Sequence, residues 1–66
     1  MELIFLSEYQ GANRGALIYL DSHTRSYWID AIEQGQIVQR QHFLMKDPAE
    51  DWAEDWVEGL IDLDTP

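Results

Sequence analysis

Hydrophobic residues fall into four short runs within the first 43 positions, and each run has the length of a β-strand. The first run carries four consecutive apolar side chains before polar residues follow. The third alternates its side chains between two sides, as a strand with one buried face does. The pattern predicts strands at about residues 2–9, 15–21, 26–33 and 36–43.

Turn-forming residues separate the predicted strands. Two glycines and an asparagine within residues 11–15 tolerate the positive φ angles that a reversing loop requires. Short polar side chains end the second strand at residues 21–24. A hairpin is predicted with its tip at Gln34-Gly35, in preference to a short helix over residues 30–34, because Tyr, Trp, Ile and Val crowd both flanks.

The last twenty residues repeat apolar side chains every three or four positions, which is the period of an α-helix. Asp47 before Pro48 is a typical helix start, because aspartate can cap the first amide groups and proline fits the first turn. We predict a helix over about residues 48–62 that includes Gly59 at the edge of its apolar half. That half faces the core rather than a partner's groove, and it consists of Trp52, Ala53, Trp56, Val57, Leu60 and Ile61.

These elements predict one α+β domain over residues 1–66. It is a small antiparallel β-meander of three or four strands with one C-terminal amphipathic α-helix packed on one face. A single helix cannot cover both faces of the sheet. The uncovered face is expected to carry Trp28 and some of Tyr9, Tyr19 and Tyr27, and an aromatic surface of this kind is typical of self-association or partner binding.

Composition narrows the class of protein. Of the 66 residues, 45% are hydrophobic and none is cysteine. This apolar content is too high for a disordered chain, and the lack of cysteine excludes disulfides and thiolate metal sites. We expect a cytoplasmic protein, because a chain without cysteine fits a reducing compartment. The N-terminal apolar run is too short for the core of a signal peptide or a membrane span.

Charge is distributed very unevenly along the chain. The net charge is −9, yet residues 1–46 carry five acids and four bases, while residues 47–66 carry eight acids and no base. Acids at i,i+4 spacing repel one another, so an uninterrupted acidic helix face indicates a compensating role such as binding a basic surface. The residues predicted to contact a partner are Glu50, Asp51, Glu54, Asp55, Glu58 and Asp62.

The sequence therefore predicts a small acidic protein-binding module. It would dock its acidic helix on a basic protein that handles nucleic acid, and so inhibit or regulate it. Acids at this spacing stand about 5–6 Å apart, comparable with phosphates along a strand, so the helix could act as a nucleic-acid mimic. The alternative is a homodimer or adaptor that uses the aromatic sheet face, with the acids serving only solubility.

Other functions are disfavoured. A net charge of −9 opposes direct binding to nucleic acid or to an anionic membrane. His23 and His42 lack the spacing of a metal-ligand pair, and the helical acids cannot wrap around a calcium ion. Asp21-Ser22-His23 contains three triad residue types, but a triad is assembled from distant positions. We expect no enzyme activity, cofactor or metal, and little room for a ligand cavity of several hundred Å³.

Overall fold

A computed structural model describes residues 2–61. Four antiparallel strands form one open sheet and a single helix packs on it, which confirms the α+β fold class. The elements are β1 (Leu3–Gln10), β2 (Arg14–Asp21), β3 (Ser26–Glu33), β4 (Gln36–Phe43) and α1 (Lys46–Val57). The strands lie in the order β1-β2-β3-β4, so the sheet is a meander with β1 and β4 at its edges.

Glycine serves different purposes in two of the connections. Gln34 and Gly35 form a two-residue turn with φ angles of 53° and 80°, typical of the type I′ turn that joins twisted strands. The predicted hairpin is thus confirmed over the short helix. Gly11 and Gly15 were expected to supply positive φ angles, and this is wrong. At Gly11 the reason is close packing, since an added Cβ would overlap the carbonyl oxygen of Val57.

The turn between β2 and β3 is closed by the side chain of Asp21. The backbone N–H groups of His23 and Thr24 donate to one Asp21 carboxylate oxygen, at 2.9 and 3.4 Å. The hydrogen bond from His23 is the main reason that the pKa of Asp21 lies below its usual value. The Asp21-Ser22-His23 sequence therefore forms a turn that the Asp21 side chain closes. This structural role accounts for the three residues without a catalytic triad.

The helix begins earlier than its sequence signals predict. Lys46 is the first residue of α1, so Asp47 lies inside the first turn and is not the N-cap. Met45 occupies the cap position without a side-chain hydrogen bond. Asp47 still interacts favourably with the positive end of the helix dipole, which is the contribution that remains when the capping hydrogen bond is absent.

The helix also ends earlier, at Val57, and Gly59 is the reason. Gly59 has a φ of 81°. Its N–H donates to the carbonyl of Trp56 at 3.1 Å and that of Leu60 to Asp55 at 2.9 Å, which is a Schellman motif. The prediction of a helix through residue 62 with Gly59 inside it is therefore wrong. Leu60 leaves the apolar half and is 72% exposed.

The core lies between α1 and the two central strands. Its fully buried members are Ala16, Ile18, Ile29, Ala31, Ala49, Ala53 and Trp56. The four alanines among them let the helix approach the sheet closely. The indole N–H of Trp56 donates to the carbonyl of Gly15 at 3.1 Å, and Trp52 stacks on Trp56 with ring centres 5.6 Å apart. Both tryptophans belong to the core, as the periodicity predicted.

Candidate interaction surfaces

The outer side of α1 carries what we call the acidic surface, formed by Glu50, Asp51, Glu54, Asp55 and Glu58. Glu50 is half-buried and the other four side chains are exposed. They lie opposite the buried alanines and Trp56, as expected from helical periodicity. The sixth predicted contact, Asp62, lies outside the described residues. Five of the six predicted residues are thus brought to one side of the molecule.

Basic side chains neutralise little of the acidic surface. The ion pairs within residues 2–61 are Arg14–Glu33, Arg40–Asp30 and Lys46–Glu50. Only the last reaches the acidic surface, with Lys46 Nζ 3.8 Å from a carboxylate oxygen of Glu50. In the same part of the chain, no basic side chain pairs with the other four acids of the surface. Because α1 begins at Lys46, one basic residue lies at the N-terminal end of the acidic surface.

The negative charge of the acidic surface affects the pKa of Tyr9, which lies on the neighbouring strand β1. Burial is the main cause that raises the pKa of Tyr9, and the charges of Glu50, Glu54 and Asp51 raise it further. A phenolate beside several carboxylates is disfavoured, so the neutral phenol persists to higher pH. The negative electrostatic potential of the acidic surface consequently reaches the β1 side of the sheet.

Arg14 supplies a positive charge at the end of α1, whose last turn contains no base. Its guanidinium lies 4.0 Å from the ring centre of Trp56 and donates to the carbonyls of Trp56 and Ile61, at 3.3 and 2.5 Å. Carbonyls at a helix C-terminus carry partial negative charge. Arg14 thus offsets the unfavourable position of Glu58, and sequence reasoning missed it because 42 residues separate it from Trp56.

A second surface is the uncovered face of the sheet, which we call the open face. Strand register places Phe5, Tyr19, Trp28 and His42 side by side, in one row that crosses all four strands. The ring centres of Phe5 and Tyr19 are 5.9 Å apart, and those of Trp28 and His42 are 4.3 Å apart. This aromatic row therefore consists of two ring contacts, one at each edge of the sheet, with Tyr19 and Trp28 paired by register between them.

The expected placement of Trp28 and some of the three tyrosines on the uncovered face is therefore confirmed. Trp28 and Tyr19 lie in the aromatic row of the open face, whereas Tyr9 and Tyr27 pack against the core on the helix side. Phe5 and His42 complete the row, and sequence reasoning had not placed them there. Their positions depend on strand register, which only the paired structure reveals.

Two further rows follow the aromatic row on the open face, both on the side towards the β3–β4 turn. One is the polar row, which consists of Glu8, Leu17, Asp30 and Arg40, and the other consists of Gln10, Gly15, Ile32 and Ile37. Arg40 donates to both carboxylate oxygens of Asp30, at 2.6 and 3.2 Å. These hydrogen bonds raise the pKa of Arg40. Within this ion pair, the Asp30 side chain is nearly fully buried, while half of the Arg40 side chain is exposed.

A β-bulge in each edge strand determines which residues reach the open face. Leu6 is the extra residue in β1, and Val38 is the extra residue in β4. Because a bulge shifts the alternation by one position, Phe5 and Glu8 point to the same face although their spacing is odd. Strict period-two alternation would have placed Glu8 on the helix side.

Three open depressions at the surface have volumes of about 370, 400 and 290 Å³. The first lies between the β1–β2 loop and the β3–β4 turn. All three are open to solvent and none is an enclosed cavity beside the core, so the expectation of little room for a ligand cavity stays a prediction. Within residues 2–61, no three His, Cys, Asp or Glu side chains are arranged to hold a metal ion.

Comparisons with known proteins give no relative from which a function could be transferred. No family model matches the chain, and no curated protein or solved structure matches it. The described segment contains no helix long and apolar enough to cross a bilayer. The two surfaces themselves must therefore carry the functional argument.

Proposed function

We propose that this chain is a small protein-binding module whose acidic surface docks in the basic groove of a nucleic-acid-handling protein and inhibits or regulates it. One observation carries the proposal. Asp51, Glu54, Asp55 and Glu58 are exposed together on one side of a helix, and no base among residues 2–61 forms an ion pair with them. Glu50 would extend the contact at one end, and Asp62, which lies outside the described residues, is predicted to take part.

Repulsion within the acidic surface favours such a partner. Like charges at i,i+4 spacing cost a few tenths of a kcal/mol per pair, about 0.2–0.5. Glu50, Glu54 and Glu58 form one such series, and Asp51 and Asp55 form another. Arginine or lysine side chains of a partner groove would relieve this repulsion on binding. The same charges would steer the encounter, so association should be fast and should weaken as salt is added.

The acidic surface is supported by a fixed helix. Trp56 anchors α1 in the core, the Schellman motif ends it, and Arg14 holds its last carbonyls. A helix that is already ordered does not lose the backbone entropy of folding when it binds. Its carboxylates, about 5–6 Å apart along each series, would therefore meet a phosphate-binding groove in a defined arrangement. A cytoplasmic setting suits a chain without cysteine.

The test compares two variants with the same change of charge. Glu54→Lys/Asp55→Lys reverses two exposed acids of the acidic surface, and Glu2→Lys/Glu8→Lys reverses two exposed acids outside α1. Affinity capture from lysate at low and high salt should retain basic DNA- or RNA-handling proteins on the wild type and on the second variant. High salt should release them, and the first variant should capture none.

Competition sharpens the test. If the acidic surface occupies a groove that binds phosphates, added duplex DNA should displace the captured protein from the wild-type chain. Equal capture by both double variants would contradict the proposal, and so would a captured protein that duplex DNA fails to displace. Far-UV circular dichroism of each variant checks that the fold is retained.

A further inference from the structure

The open face has more apolar surface than a solvated sheet face normally has. Phe5 is 54% exposed and Ile37 is 58% exposed, at opposite edges. The half-buried side chains between them are Leu17, Tyr19, Trp28 and Ile32. An antiparallel sheet with one wet face usually alternates apolar side chains inward and polar side chains outward. Here the open face also carries apolar side chains on both sides of its polar row, with Leu17 between them. An exposed apolar surface of this kind marks an interaction site.

The size of the open face is sufficient for a protein interface. Four strands of eight residues span about 26 Å by about 19 Å, or about 500 Å². Two such faces in contact would bury about 1,000 Å², which is near the lower bound for a specific interface. A second copy of the same sheet matches this area and shape.

The distribution of charge favours self-association through the open face over contact between the helices. The acidic surfaces lie on the opposite side of each sheet, so sheet-to-sheet packing directs them outward. With sheets about 10 Å apart and each helix about 10 Å beyond its sheet, the two helices would be about 30 Å apart. This exceeds the Debye length of about 8 Å at physiological salt. Contact between the two helices would instead bring like charges together.

A twofold axis parallel to the strands makes the open face complementary to itself. With the axis midway between β2 and β3, β1 of one copy lies opposite β4 of the other, and β2 lies opposite β3. Each row of one copy then faces the same row of the second copy. In the aromatic row, Tyr19 then faces Trp28 of the second copy. In the polar row, Glu8 of each copy faces Arg40 of the other, and Arg40 has its exposed half available beside Asp30.

We infer that the open face is the interface of a homodimer, in which two copies pack sheet against sheet with the aromatic rows in contact and two Glu8–Arg40 pairs between the copies. Sheets packed in this way lie nearly aligned, at about −30°, and the arrangement is isologous. The inference rests on strand register and on the apolar surface of the open face. It is independent of the function proposed for the acidic surface.

Sedimentation velocity between about 1 μM and 1 mM protein, the span between tight and weak association, tests the inference. The wild type should shift from monomer to dimer within this range. Phe5→Glu places a charge in the interface and should raise the dissociation constant at least tenfold. Ile4→Glu is the matched control, because Ile4 is 46% exposed on the same strand but pairs with Leu20 on the helix side. It should leave dimerisation unchanged.

Chemical crosslinking tests the orientation of the two copies. The chain has no cysteine, so Phe5→Cys and His42→Cys each carry one thiol. The inferred axis brings Phe5 opposite His42 of the second copy, so a bismaleimide with a reach of about 10 Å, the spacing of packed sheets, should join a mixture of the two variants. It should not join Phe5→Cys to itself, because those residues lie at opposite edges.

Three outcomes would overturn the inference. A wild-type chain that stays monomeric at 1 mM would leave the open face to a different partner. Equal loss of the dimer in Phe5→Glu and Ile4→Glu would indicate an interface at the β1 edge. Crosslinking of Phe5→Cys to itself as fast as to His42→Cys would exclude the axis parallel to the strands.

Discussion

The two faces of this sheet are both rich in apolar side chains, but only one is covered. On the helix side, Ala16 and Ala31 are small enough for α1 to settle directly on the central strands, and both are fully buried. On the open face, a row of rings and a buried ion pair stand in the corresponding positions. The comparison teaches that the size and shape of side chains decide where the helix packs, because small alanines let it approach the sheet whereas rings and an ion pair would hold it away.

The largest expected effect is on stability, and it comes from replacing one tryptophan on each face of the sheet. Trp56→Ala removes the largest buried side chain and should cost about 3–5 kcal/mol, close to the total stability of so small a domain. Trp28→Ala, on the open face, should cost roughly 1–2 kcal/mol, because Trp28 is only half-buried. Urea denaturation followed by circular dichroism, at a concentration where the chain is monomeric, measures both. Similar losses would break the distinction between the faces.

A glycine pair should give effects of opposite sign. Gly11→Ala forces a Cβ into the backbone of Val57, and overpacking of this kind costs about 1–3 kcal/mol. Gly15→Ala adds a methyl group on the open face, 3.5 Å from the carbonyl oxygen of Tyr9 and 3.9 Å from Cβ of Ile32, which is ordinary contact. It should stabilise by about 0.5–1 kcal/mol. Thermal unfolding gives the sign directly, and stabilisation by Gly11→Ala would refute close packing there.

A smaller gain is expected at the turn that joins β3 to β4, which belongs to neither face. Gln34 has a φ of 53° and precedes Gly35, and Asn-Gly is the preferred pair for a type I′ turn. Gln34→Asn should therefore stabilise by about 0.5 kcal/mol. Gln36→Asn is the control, since it lies in β4, where asparagine is disfavoured. The free energies of unfolding from denaturant titrations should change in opposite directions.

The smallest effect is a shift in the titration of Tyr9. Its folded pKa is raised, so the associated stability is complete below the unfolded pKa of about 10 and is lost as the pH rises through the folded pKa. Glu50→Gln/Glu54→Gln should lower the pKa of Tyr9 while burial keeps it above the unfolded value. Asp55→Asn/Glu58→Gln should leave it unchanged. NMR titration of the Tyr9 ring distinguishes these outcomes, and an equal shift in both variants would contradict the geometry of the acidic surface.

Local signals predicted much of the fold. The bounds of β3 and β4 coincide with residues 26–33 and 36–43, because alternation and the Gln34-Gly35 turn are properties of adjacent residues. The bulges at Leu6 and Val38 could not be predicted. A bulge is defined by the pairing of two strands, and the sequence of one strand does not contain that information.

In the helix, too, some features follow from the local sequence and others depend on the folded structure. Its periodicity placed the five described residues of the acidic surface together, and whether they bind a partner stays a prediction. The end of the helix was missed because the apolar period continues to Ile61, past Gly59. Only the backbone hydrogen bonds around Gly59 show where α1 stops. Arg14 and its contacts at that end depend on tertiary packing and leave no trace in the local sequence.

The anchoring of Trp56 also determines when the chain can fold. Its indole N–H binds the carbonyl of Gly15, 41 residues earlier, and its ring lies against Arg14. The sheet alone exposes Ile18 and Ile29 to water until the segment that contains Trp56 arrives. Because contacts of such long sequence separation form late, a ribosome must release the chain through Trp56 before a stable domain exists. Truncation before Trp56 should therefore yield an aggregation-prone sheet, and should not yield a smaller folded protein.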